Sequence, residues 1–253
     1  RRISKTIQRY ILRKMNIIFL TVSDTNSQHE KDYYLNPNAE SVYCWFDPKK
    51  YSLLKKQEFS TTIKSDQKIK LATLGGNWSY KNFDSILKAF KLIKNKRPDI
   101  YKKLSLTQIG SDNENLIKLS KKLEISENCN FLGNVADWRL NLSNCDYIIA
   151  PSTEEGLNLS VVEAAAFGLI PILSTRKCLN EHIRLGKDVI WLDDIDPYSI
   201  SKKIISLDKY SSEDLILKQT RIAEKAFFHY SSNKLIPKLL KMYDFAKQKS
   251  QNF

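Results

Sequence analysis

Apolar and polar positions along the chain switch repeatedly between two periods. Short apolar runs alternate with segments whose apolar residues recur every three to four positions, the marks of buried strands and amphipathic helices. The runs Ile69–Leu74, Leu104–Ile109, Cys129–Leu132, Tyr147–Ala150, Ile170–Leu173 and Val189–Leu192 predict strands. Between and after them, helices are predicted over Phe83–Lys96, Glu114–Leu123, Asp137–Leu142, Val161–Phe167, Leu179–Arg184 and Tyr198–Leu207. The first of these carries Ile86, Leu87, Phe90 and Ile93 on one face, with Pro98 just beyond its end. Strands that alternate with helices in this way build parallel sheets, because a parallel pair needs a crossover long enough to hold a helix. The expected fold class is therefore α/β, a Rossmann-like doubly wound parallel sheet. Two further helices, Glu213–Phe228 and Ser232–Gln248, close the chain.

The first fifty residues follow the same grammar but supply less of it. A helix over residues 1–15 is predicted from the apolar stripe Ile3, Ile7, Tyr10, Ile11 and Met15. A buried strand over Asn16–Ser23, a helix from Asp24 or Thr25 to Leu35, and a strand over Ser41–Trp45 follow, with Phe46-Asp47-Pro48 turning out of it. Four elements are too few to close a core of their own. Residues 1–52 are expected to be the end of an incomplete N-terminal Rossmann-like domain whose beginning lies upstream. The polar, lysine-rich residues 53–67 are the expected linker, and 68–253 the main domain.

Composition narrows the function classes. Apolar residues make up 42% of the 253, enough for a packed core, and no apolar run approaches the roughly 20 residues that span a bilayer. Basic residues at the start are not followed by a cleavable apolar segment, which predicts a cytoplasmic protein. Cys44, Cys129, Cys145 and Cys178 are scattered without a CxxC pair, so free thiols are expected and a zinc site is not. His29, His182 and His229 are isolated and read as structural or surface residues. The net charge of +13 is spread over most polar helix faces with no aromatic-interleaved RNA motif, so no nucleic-acid partner is expected. Residues 1–15 leave two readings open: a helix covering a sheet, or a basic amphipathic helix at the anionic inner face of a membrane.

Two stretches carry candidate chemistry. In PSTEEGLNLSVVEAAAFGLIPILS (151–174), a strand runs into a loop, a small-residue helix and another strand. Glu155 falls on the loop and Glu163 within the helix, both near the carboxyl ends of the strands, where ligands of open α/β sheets bind. Backbone amides at Gly156–Ser160 open the helix and suit a phosphate, while the Glu163 carboxylate suits sugar hydroxyls. The second stretch is the turn Gly75-Gly76-Asn77-Trp78-Ser79-Tyr80-Lys81, which follows a strand and opens a helix. Its glycines allow close backbone approach, its helix N-terminus favours an anion, and Lys81 adds a full charge. It matches neither GxxxxGK[ST] nor GxGxxG.

Together these stretches resemble retaining glycosyltransferases of group 1, whose GT-B fold pairs two Rossmann-like domains. EGLNLSVVEAAAFGLIPILS is similar to the family's E-G-x-G-L-x-x-x-E-A-x-A-x-G-x-P-V segment. GGNWSYKNFDSILKAF, SLTQIGSDNE, CNFLGNV, NCDYIIAPSTEEG and LNEHI follow in the family's order, over about residues 68–248. SDTNSQHEKDYYL and SVYCWFDPKKY resemble the end of its N-terminal domain. The resemblance implies the C-terminal half of a GT-B fold that binds a nucleotide-diphospho-sugar. It puts Glu163 on the ribose and Lys81 on the diphosphate beside Gly75, Gly76 and Asn77. The amides of Leu157, Asn158 and Leu159, next to Gly156, would also face the diphosphate. Glu155 would face the donor sugar, and Asn134 and Val135 the base. Transfer would go with retention to a glycan or lipid-linked acceptor, Glu155 and Lys81 being catalytic, with no cofactor or metal required.

The chain departs from the pattern twice: Gly76 and Asn77 stand where the family usually has an arginine, and Asn158 replaces its second glycine. Losing a bidentate phosphate clamp weakens leaving-group stabilisation. A non-catalytic nucleotide-sugar-binding module, completed by a partner chain that supplies the N-terminal half, is accordingly the alternative to a transferase. An epimerase would want further acid and histidine groups that the chain does not place.

Overall fold

The computed structural model describes residues 2–14, 17–51, 68–175 and 177–251, so the predicted linker 53–67 lies outside the described residues. The first part holds α1 (Arg2–Lys14), β1 (Phe19–Thr21), α2 (Asp24–Tyr34) and β2 (Ala39–Ser41), with β1 and β2 paired in parallel. The Ser23 hydroxyl caps α2 by accepting from the Asn26 amide, and Leu35 ends the helix at φ 51. The predicted apolar stripe of α1 is exposed at Ile7, Tyr10 and Ile11, while Arg9 ties the helix to α2 through Glu30 at 3.0 Å.

The second part is a six-stranded parallel sheet. In chain order its elements are β3 (Ile69–Leu74), α3 (Phe83–Lys96), α4 (Pro98–Tyr101), β4 (Leu104–Ile109), α5 (Glu114–Lys122), β5 (Cys129–Gly133), α6 (Trp138–Leu142), β6 (Tyr147–Ala150), α7 (Leu159–Ala166), β7 (Ile170–Ser174), β8 (Ile190–Leu192) and α8 (Pro197–Ile205). The strands lie in the order β5-β4-β3-β6-β7-β8, so the chain winds outward in one direction from β3 and in the other from β6. The strands β3, β6 and β7 are buried on both faces, as the centre of a doubly covered sheet requires. Ile69 and Leu71 of β3 face Phe83, Ile86, Phe90 and Ile93 of α3. Ala72 and Leu74 face the opposite core, which Val161, Val162 and Ala165 of α7 share with Ile222 and Ala226 of α9 (Ser212–Tyr230). The alanines of α7 let it sit close to the sheet; α9 begins with a capping box between Ser211 and Asp214. Helix α10 (Ser232–Gln251) buries Leu235 but leaves Leu240 and Tyr243 exposed.

Two expected elements differ. The strand predicted over Ser41–Trp45 ends at Ser41, because Tyr43 and Phe46 turn into the main core against Tyr230 and Phe227. The helix predicted over Leu179–Arg184 is a 3-10 helix, Lys177–Leu185. The helix after the Gly75–Lys81 turn starts at Phe83, as expected. A 3-10 turn, Ser79–Lys81, and left-handed Asn82 precede it, and the Asn82 amide bonds the carbonyls of Pro151 and Ile195. The first part is seated on the second: Phe46 donates to the Tyr230 carbonyl at 3.2 Å and accepts from Ser232 at 2.9 Å.

His182, fully buried on the 3-10 helix, has its pKa pushed down to about 4 by burial. Below its ordinary 6.5 the unfolded chain takes a proton that the native ring refuses, so this contribution to stability is lost as pH falls from 6.5 towards 4. The loss amounts to on the order of 3 kcal/mol. Urea unfolding at pH 7 and pH 4.5 is expected to show a smaller acid-induced drop for His182→Leu than for the wild type. Equal drops would show that His182 does not carry this limb.

Candidate functional site

A doubly wound sheet opens a crevice where its winding reverses, beyond the carboxyl ends of the two central strands. Here those strands are β3 and β6, and the loops that follow them hold both candidate stretches. A side-chain cluster closes across the crevice. Lys81, in its 3-10 turn, donates from Nζ to Glu155 Oε1 at 2.6 Å, and both side chains are about nine-tenths buried. The same oxygen accepts from Ser152 Oγ and from Asn158 Nδ2, each at 3.0 Å. An ionised carboxylate can be held so far from water only because an ammonium and two neutral donors meet it. Lys81 and Glu155, 74 residues apart, are thus one unit.

Beside this unit lies a cleft of about 160 Å³ lined by Leu74, Gly75, Ile109, Gly110, Asn134, Val135, Trp138, Ser160 and Glu163. Its floor is made of strand ends. Gly75 at φ 115 and Gly110 at φ 148 let β3 and β4 finish so close together that a Cβ on Gly110 would fall 2.0 Å from the Gly75 carbonyl oxygen. The Gln108 amide holds that carbonyl at 3.0 Å. Glu163 reaches the cleft from α7 and Asn134-Val135 from the end of β5.

Each predicted site residue falls in one of three places. Gly75, Asn134, Val135 and Glu163 line the cleft, whereas Lys81, Glu155 and Asn158 form the buried cluster. The others frame these two groups. Gly76 packs against Ser111 and Trp78, and the Asn77 amide bonds the Ser111 carbonyl at 3.2 Å. Gly156 faces Val22 and Asn26 of the first part, Leu157 is buried in the core, and Leu159 begins α7. Asn158 precedes that helix in the left-handed region, φ 59, with its side chain turned to Glu155 rather than capping the helix. Among the described residues no group of three or more His, Cys, Asp or Glu side chains could hold a metal ion. No helix there is long and apolar enough to cross a membrane.

The sequence profile of the glycosyl transferases group 1 matches residues 55–226, more than half of the chain. The chain belongs to that family. Similar curated proteins carry transferase names. An uncharacterized glycosyltransferase of Haemophilus influenzae is 36% identical over 104 residues, 41% of this chain and 29% of that protein. The N,N'-diacetylbacillosaminyl-diphospho-undecaprenol alpha-1,3-N-acetylgalactosaminyltransferase of Campylobacter jejuni is 24% identical over 233 residues, 89% of this chain and 60% of that protein. The chain therefore spans less than two thirds of either relative. Among solved structures, a glycosyltransferase from Rickettsia africae superposes with a TM-score of 0.75 at 14% identity, covering 93% of this chain and 65% of that one. HepE of Anabaena, solved with UDP and glucose, gives 0.74 at 12% identity, covering 96% and 67%. At such identities these likenesses establish the fold alone, the GT-B arrangement.

For this group 1 glycosyl transferase, reasoning from sequence missed two residues at the site. Tyr51, buried in the core, donates its hydroxyl to Glu163 Oε1 at 2.7 Å. Burial first, and then that bond, raise the phenol's pKa. The Arg139 guanidinium lies 5.5 Å over the Tyr51 ring and 4.8 Å over that of Trp138. Tyr51 ends the stretch SVYCWFDPKKY, but its distance along the chain from Glu163 hides the contact, and Arg139 stands in no run, repeat or glycine turn.

Proposed function

We propose that the chain carries the donor half of a glycosyltransferase that moves a sugar, with retention, from a nucleotide-diphospho-sugar to a glycan or lipid-linked acceptor. The observation that carries the reading is the meeting of Gly75, Gly110, Asn134, Val135 and Glu163 in one cleft at the reversal of a doubly wound sheet. In this reading the ribose hydroxyls bond Glu163, and the base lies against Asn134 and Val135. The diphosphate lies over Gly75 towards the start of α7 and Lys81. As the bond from the anomeric carbon to the diphosphate breaks, negative charge grows on the leaving oxygens, and a fixed ammonium nearby stabilises it without a metal. Glu155 faces the sugar and keeps Lys81 in place. The UDP complex of HepE supports a nucleoside diphosphate as the leaving group, and the name of the Campylobacter relative supports a lipid-linked acceptor.

Calorimetric titration with UDP, GDP and ADP tests the reading. One of them is expected to bind the wild type, and Glu163→Ala is expected to weaken it about thirtyfold, the worth of hydrogen bonds to a charged group. If none of the three binds the folded protein, the donor-site reading fails.

A further inference from the structure

We propose that Tyr51 is a positioning residue for nucleotide recognition, acting through Glu163. The inference rests on the donor-site reading above and adds to it a residue from outside the main domain's sequence pattern. Tyr51 follows the Phe46-Asp47-Pro48 turn, and its backbone amide bonds the Pro48 carbonyl at 3.1 Å. Its ring is wedged between Phe46 and Phe167, each 4.8 Å away centre to centre, and is almost wholly buried. A ring clamped on two sides has little rotational freedom, so its hydroxyl is a fixed point. That hydroxyl donates to Oε1 of Glu163.

Glu163 without this contact would be a flexible side chain on the first turns of α7. Its carboxylate could turn among several rotamers, most of them unsuited to a ribose. With Oε1 engaged by Tyr51, the carboxylate plane is set and its second oxygen is left to accept a ribose hydroxyl. The bond also satisfies a carboxylate at the edge of an apolar core, where an unmet acceptor would be costly. Arg139 completes the arrangement: its guanidinium lies 5.5 Å over the Tyr51 ring and in the field of Glu163. The guanidinium, the phenol and the carboxylate form a chain that runs from α6 through the first part of the protein to α7. The contact links residues 112 apart, so the cleft is fully formed only when the Phe46–Tyr51 turn is seated on the main core.

The test uses Tyr51→Phe, which removes one oxygen and keeps the clamped ring, with the bound member of UDP, GDP and ADP and its 2′,3′-dideoxy counterpart as probes. The wild type is expected to prefer the ribose form. Tyr51→Phe is expected to weaken the ribose form about tenfold, leave the dideoxy form unchanged and so shrink the preference. A purely structural role would weaken both forms alike. In a Glu163→Ala background, Tyr51→Phe is expected to cause no further loss. This second comparison remains decisive even if Tyr51→Phe lowers the melting temperature. An unchanged preference in Tyr51→Phe, or a loss that adds to that of Glu163→Ala, overturns the proposal while leaving the donor site standing. No nucleotide binding by the wild type takes down the donor-site reading and this inference with it.

Discussion

Lys81→Met is expected to destabilise the protein by about 3 kcal/mol, because it strands a carboxylate rather than because it removes a contact. Glu155 keeps the hydroxyl of Ser152 and the amide of Asn158, but neither neutralises a full charge held about nine-tenths out of water. For a chain of this size that is roughly a 10 °C fall in melting temperature. The double variant Lys81→Met/Glu155→Gln should recover most of it, since removing both charges removes the desolvation cost with them. Thermal unfolding of the two single variants and the double variant gives the coupling energy directly. Additive losses would mean that the pair is not coupled and that Lys81 is free to serve a ligand alone. Nucleotide affinity should not return in the double variant, because the ammonium proposed to face the diphosphate stays absent. Stability and binding therefore separate, and that separation distinguishes a functional ammonium from a structural one.

The second large effect is expected at Gly110. Ala at this position would need a Cβ 2.0 Å from the Gly75 carbonyl oxygen and 2.3 Å from its carbon, at φ 148. Both obstacles are backbone, so no side chain can swing away. The ends of β3 and β4 must separate, with loss of bonds such as Gly75 to the Ile109 carbonyl at 2.8 Å. A cost on the order of 4 kcal/mol is expected, from strain at a special backbone conformation combined with overpacking. Gly133→Ala is the control. It also has positive φ, 66, but nothing lies within 4 Å of its added Cβ, so only backbone strain of about 1 kcal/mol remains. Denaturant midpoints of the two variants measure the difference. Equal losses would show that the approach of the two strand ends is not what Gly110 protects.

These residues also mark how far the sequence could be read. The six strands of the main sheet were legible because each is a short apolar or alternating run bounded by a helix of different period. Errors fell where tertiary contacts override local preference. Tyr43 and Phe46 lie in a stretch of strand-forming residues, yet their rings gain more from the core beside Tyr230 and Phe227 than from extending β2. Lys81 lies on the turn where it was expected, and what the sequence did not show is that left-handed Asn82 beside it is held by carbonyls from distant loops. The candidate glutamates were legible as members of a spaced family segment. Their partners were not: Tyr51 and Lys81 lie 112 and 74 residues away from them.

By itself, then, the chain's pattern determined the α/β class, the parallel sheet and the two loops that carry the candidate chemistry, because periodicity and glycine turns act within a few residues. Only the tertiary structure decided that Glu155 and Lys81 are a single buried pair and that Glu163 is held by a tyrosine from the first part of the chain. A carboxylate's role depends on the charge and hydrogen bonds around it, and folding alone sets those neighbours.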